Sequence, residues 1–229
     1  MNHSISVGVI VCLLAIAGPL HGAVTLFTDA ASWNAAAAPG ASAIYLEDFQ
    51  GFAADTSFQT SPVAGSFFTL EQEGSGEFRN TIDVPPLSFT DNNGTSHASL
   101  FTNYGVTTVE MSFDSPVFAW GADFFDAGSN EMVDLDLVGP GGGTLATVQV
   151  PDEDTFFGFV ITGPVQSVEE IVFKSRTDIP GMGGEGFGMD NVRGAAADAA
   201  GLFGAFNAGE NTVRDRGRVA GKIPLGPPL

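Results

Sequence analysis

Apolar and polar positions alternate along most of this chain in short runs, cut by clusters of Gly, Pro, Asn and Asp. In Val133-Asp134-Leu135-Asp136-Leu137 the apolar side chains share one face and the carboxylates the other, because successive side chains of a strand point to opposite sides. Runs of this kind predict strands over 43–49, 65–70, 87–90, 98–102, 107–113, 117–125, 132–138, 144–150, 155–162, 168–174 and 186–192. Only one stretch before residue 195 reads as helix. Asp29 is its N-cap, six alanines fall within the next nine positions, Trp33 is the packing residue, and Pro39-Gly40 closes it. Many short strands, each able to bury one face, predict an all-β sandwich or barrel with one short N-terminal helix.

Composition supports a packed interior. The 229 residues are 44% hydrophobic and 15% charged, with Phe 20 against Trp 2 and Tyr 2. Acidic residues number 27 against 8 basic, a net charge of -19 that repels phosphate backbones and anionic membranes. Nucleic acid is therefore excluded as a partner, and the acid serves either solubility or cations. The one cysteine, Cys12, lies in an uncharged apolar run from Ile5 to Ala17, followed by Gly18-Pro19 and the small residues Gly22 and Ala23. That run is shorter than the roughly 20 residues needed to span a bilayer and reads as a secretory signal peptide over 1–23. Export to the cell surface or medium is expected, with no membrane span in the mature chain. The sandwich is assigned to 24–194 and a weakly ordered, partly basic tail to 195–229. Outside the leader the only histidine is His97, so a zinc site or a Ser-His-Asp triad would rest on one residue.

Several segments carry a family resemblance. TFFGFVITGPVQSVEEIVFKS (155–175), GEGFGMDNV (184–192), LFTDAASWNAAA (26–37), LEDF (46–49) and FAWGADFFD (118–126) resemble the exported bacterial β-sandwich proteins that commonly carry a PEP-CTERM sorting tail. The tail itself is not recognisable, since no Pro-Glu-Pro and no membrane-spanning run follow residue 194. The resemblance implies a jelly-roll or concanavalin-like sandwich, displayed at the surface, in contact with extracellular polysaccharide or matrix. It also implies that a strand near the start lies beside one near the end, as in related families that hold calcium there. Glu47, Asp48, Asp190 and Asn191 would then supply oxygen ligands to Ca²⁺. The alternative is that Asp190 and Asn191 cap a turn.

Two other acidic sets stand out, Asp123 and Asp126 with Asp134 and Asp136, and Asp152-Glu153-Asp154 after Pro151. Two carboxylates about 5 to 9 Å apart can hydrolyse a glycosidic bond. An acidic chain generates such spacings by chance, and no catalytic pair is singled out. Trp120 and Tyr104 are the ring candidates for stacking on a sugar, Tyr104 from an Asn-Tyr-Gly turn and Trp120 beside Phe118 on one strand face. The glycine-rich stretches 139–143 and 181–188 lack the context of phosphate loops and are expected to be surface loops. These readings favour a non-catalytic, structural or carbohydrate-contacting module. The alternatives are a carboxylate-based polysaccharide hydrolase or lyase, and a matrix or adhesion protein with no small ligand.

Overall fold

The computed structural model describes residues 22–53, 55–75, 80–84, 95–127, 132–151, 154–163, 167–176 and 185–197. The signal peptide, Cys12, the 87–90 strand, Asp152-Glu153 and the tail beyond 197 lie outside them. In chain order the elements are β1 (Ala23–Phe27), α1 (Ala30–Ala37), a 3-10 turn (Ala38–Gly40), β2 (Ala41–Glu47), β3 (Thr56–Ser57), β4 (Val63–Ala64) and β5 (Phe68–Gly74). There follow β6 (Thr81–Asp83), β7 (His97–Thr102), β8 (Thr107–Phe125), β9 (Met132–Val138), β10 (Thr144–Gln149), β11 (Thr155–Thr162), β12 (Val168–Arg176) and β13 (Glu185–Ala197).

The fold is all-β with one short helix. All ladders are antiparallel, and the strands form two layers that share β8. The first half of β8 pairs with β5 and β12, and β12 continues to β9 and β10. Its second half pairs with β11 and β13, and β13 carries β7 and then β2 along its other edge. Between the halves, Asp114, Ser115 and Pro116 are exposed and have no ladder partner. Proline lacks a backbone N–H and is tolerated where no ladder bond is needed. The sequence reading of two strands is thus one strand whose partners change at Pro116.

Both layers face a common core. Trp120 stacks on Phe159 of its own layer, centroids 6.1 Å apart, and meets Phe173 of the other layer edge-on at 6.0 Å. Its side chain is 0% exposed. A sugar cannot reach it, so the expected role of Trp120 as a stacking platform is corrected: the alternation that pairs it with Phe118 is interrupted by bulges, and Trp120 turns inward.

The helix forms as its sequence predicts. Asp29 Oδ2 accepts the Ser32 amide at 2.8 Å, and Trp33 Nε1 donates to Phe159 O at 3.0 Å. Hydrogen bonds from Ser32 hold the Asp29 carboxyl below its ordinary 3.8. A carboxyl with a lowered folded-state value stabilises the fold above its unfolded value, and that contribution fades as pH falls through the folded one. Trp33, Ala37, Ala119, Phe156, Val160 and Ala195 form a second small cluster, which fixes α1 on the outer face of the β8/β11/β13 layer. Ala195 to Ala197 belong to β13, so the sheet runs three residues past the boundary expected at 194.

The outer face of the other layer is acidic. Glu71 lies directly opposite Glu110, with Glu73 and Glu170 on the flanking positions. Burial, then repulsion from Glu170, Glu73 and Glu71, pushes the Glu110 carboxyl above its ordinary 4.5. A raised folded-state value means that the protonated form favours folding. That contribution is complete below the unfolded value and is lost as pH rises through the folded one. Glu110→Gln is therefore expected to raise the melting temperature at neutral pH. The gain should close as the pH is lowered past 4.5, and a pH-independent gain would contradict the assignment.

Candidate active site

The outer face of the β6-β7-β13-β8 layer carries the richest polar constellation among the described residues. Its composition follows from register. Asp83 pairs with His97, Thr81 with Ser99, Gly188 with Ser99 and with Phe125, and Asp190 with Asp123. Opposite residues share a face, so Asp83, His97, Ser99, Phe125, Asp123 and Asp190 lie together. Ile82, Ala98, Leu100, Phe124 and Met189 take the core side. Gly188 and Gly121 leave room for rings from the neighbouring strands: a Cβ at Gly188 would collide with the Phe125 ring, and one at Gly121 with the Phe156 ring. Gly188→Ala is expected to lift Phe125 off the sheet and to cost about 1–3 kcal/mol in a denaturant melt. An unchanged midpoint would show that the ring is not held flat.

A buried chain of hydrogen bonds underlies this face. Ser99 Oγ donates to Asp83 Oδ2 at 2.6 Å and lies 3.3 Å from His97 Nε2. His97 Nδ1 sits 3.0 Å from Thr95 O, and Nε2 is 4.0 Å from Asp83 Oδ2. Because Nδ1 faces a carbonyl, which only accepts, we assign it the ring hydrogen. The His97 ring then meets Phe125 edge-on with centroids 5.3 Å apart. All three polar side chains are buried, and the imidazole packs against Phe125 on the same face of the sheet. Their order Asp-Ser-His is not that of a nucleophile triad, in which the imidazole stands between the other two.

Beside it the two aspartates face each other. Between Asp190 and Arg193, β13 has two residues, Asn191 and Val192, where β8 has one, Ala122, between Asp123 and Gly121. This is a β-bulge, with Asn191 at φ 49°. It sets Asn191 Nδ2 2.9 Å from Asp123 Oδ2 and Arg193 Nη1 3.8 Å from Asp123 Oδ1. Arg193 also lies over the Phe156 ring, 5.3 Å from its centroid. Asp190 Oδ1 accepts the Asn191 amide at 2.6 Å, and its Oδ2 the Thr95 hydroxyl at 3.4 Å. Asp123 is 36% exposed, whereas Asp190 is buried.

The bulge also decides the fate of the expected calcium ligands. β2 does lie beside β13, with Glu47 opposite Val192, as the resemblance implies. The extra residue reverses the alternation, so Val192 enters the core and Glu47 lies on the opposite face from Asp190. Glu47 accepts the amides of Phe49 and Ser66 at 2.8 and 2.7 Å, and Asp48 Oδ1 accepts that of Gln50 at 3.1 Å. Glu47, Asp48, Asp190 and Asn191 therefore do not converge as one ligand set. Tyr104 is 61% exposed in the turn after β7, as expected. It lies past the C-terminal end of β7, whereas His97 is that strand's first residue.

The other acidic sets are dispersed. Asp134 and Asp136 project from the outer face of the other layer, where Lys174 pairs with Asp136. Asp154 accepts the Asp126 amide at 2.7 Å. Gly186 and Gly188, which fall in both the predicted 186–192 strand and the glycine-rich stretch 181–188, are strand residues, and Gly188 seats the Phe125 ring. A concavity of about 510 Å³ lies at the far end of the β9/β12 layer, lined by Asp114, Glu169 and Glu170 without an opposing base or cation.

The expectation of a module without catalytic chemistry is corrected by this geometry. His97 stands alone in the sequence, but the fold joins it to a carboxylate and a hydroxyl and sets two more carboxylates face to face beside them. No protein-family model matches the chain, and no curated protein sequence does. Among solved structures, the enzymatically active domain of tailspike protein 4 from bacteriophage CBA120 aligns at 19% identity and a TM-score of 0.32, covering 57% of this chain and 20% of that one. CtCBM11 aligns at 11% identity and a TM-score of 0.27, covering 68% of this chain and 96% of that one. Both likenesses are remote, and the case for chemistry rests on the site itself.

Proposed function

We propose that the protein is an exported hydrolase of neutral extracellular polysaccharide, acting through Asp123 and Asp190. The observation that carries this reading is their direct opposition across β8 and β13, in unlike surroundings, beside rings laid flat on glycines. Directly opposite strand residues have Cβ atoms about 4.5–5.5 Å apart, which lets two carboxyls reach the same glycosidic bond. Asp123, exposed and balanced by Arg193, acts as the carboxylate at the sugar carbon. Asp190, buried in the wall, carries the proton to the leaving oxygen. Phe125 offers a face to the sugar ring, with the His97 imidazole packed against it. The charge of -19 disfavours polyanionic substrates such as polyuronates.

The test is release of reducing ends from a panel of neutral polysaccharides and polyuronates by the secreted chain. Turnover of a neutral member is expected. Binding without turnover on every member would sink the hydrolase reading, and turnover confined to polyuronates would sink the substrate class.

A further inference from the structure

Strand β2 has an open edge. Its ladder partner is β13, and among the described residues no strand pairs with its other side. Ser42, Ile44 and Leu46 alternate outward along it, Ile44 46% and Leu46 55% exposed, while Tyr45 turns the other way and stacks on Phe67 at 5.1 Å. Exposed edge strands are templates for another strand, and proteins blunt them with charge, proline or a bulge. β2 carries no charge and no proline before Glu47, and its one irregularity against β13 lies at its start, between Ala41 and Ala43. From Ala30 to Leu46 no residue is charged, in a chain whose net charge is -19. Two copies of so acidic a protein repel each other over most of their surfaces, and this edge is where they can meet without that cost.

We propose that the protein forms a two-fold dimer by antiparallel pairing of β2 with β2 of a second copy. The strand is self-complementary. A register centred on Ile44 sets Ile44 against its own symmetry mate and Leu46 against Ser42, so the exposed apolar side chains of both copies gather on one face, as an isologous interface requires. Leu46 O accepts the Ser66 hydroxyl at 3.2 Å, which marks the end of the edge available for pairing. Leu46 is also directly opposite Arg193. The joined sheet therefore continues the outer face from one Asp123/Asp190 site to the other, although the dimer does not depend on the hydrolase reading.

Sedimentation of the secreted full chain over a range of concentrations tests this. A concentration-dependent dimer is expected, and Ile44→Lys should be monomeric with an unchanged circular dichroism spectrum. Leu46→Glu should behave likewise, and serves if the first variant folds poorly. A wild-type monomer at every concentration overturns the proposal, as does a dimer that persists in both variants. Slow hydrogen exchange of the Ile44 and Leu46 amides in a monomer would overturn it too, because another part of the same chain would then cover the edge.

Discussion

Asp123→Asn is expected to lower turnover of a neutral polysaccharide about 10²–10⁴-fold, the range lost when a positioned carboxyl leaves a reaction that depends on it. The substitution is close to isosteric. The asparagine oxygen can still accept from Asn191 Nδ2, so the bulge and its left-handed backbone should persist. What disappears is the charge that faces Arg193 and acts at the sugar. Asp190→Asn should be as severe for another reason, since it keeps the shape and removes the proton. Ser99→Ala provides the contrast. It breaks the bond to Asp83 beneath the site without touching substrate, so it should weaken substrate binding through Phe125 and the buried Asp83 should cost stability. If Asp123→Asn and Asp190→Asn both retain full turnover, the pair is structural.

The second large effect is on stability. Trp120→Ala is expected to cost about 3–5 kcal/mol, because Trp120 fills the space between the layers against Phe124, Phe159 and Phe173 and a cavity remains behind it. Trp120→Phe should be much milder than its size change suggests. The indole N–H of Trp120 is buried without a hydrogen-bond partner, so no bond is broken and an unsatisfied donor leaves the core. Trp33→Phe reverses that balance. It removes the 3.0 Å bond to Phe159 O and strands a buried carbonyl, a loss of about 1–3 kcal/mol besides the packing. Chemical denaturation of the four proteins decides the matter: equal costs for the two phenylalanine variants would refute the hydrogen-bond account.

Much of the scaffold is readable in the sequence because it depends on local periodicity. The alternation of Val133 to Leu137 marks β9, and Asp29 with its alanines marks α1. The two-residue strands β3 and β4 are invisible, since a pair of residues has no period. The site is a different matter. Asp83, His97, Asp123 and Asp190 are scattered over more than a hundred positions, and only ladder register brings them together. The parity of β13 depends on one bulge at Asn191, where a single extra residue exchanges the faces of everything after it. That is why Glu47 does not meet Asp190 across the neighbouring strands. One signal was present: Gly186 and Gly188 alternate with Phe187 and Met189, which marks a strand face kept bare for rings from its neighbours.

The position of β13 sets the order of events in synthesis. It is the last strand in the described chain, yet it lies in the middle of its layer, with β8 on one edge and β7 and β2 on the other. Until residues 185–197 have been made, β2 lacks its ladder partner and β7 meets β8 only through the turn between Asn103 and Thr107. Pairing across such sequence separations is slow, because loop closure precedes any reward in contacts. The layer around β13 therefore closes last, after the ladders of β5, β8, β9, β10 and β12 can already have formed.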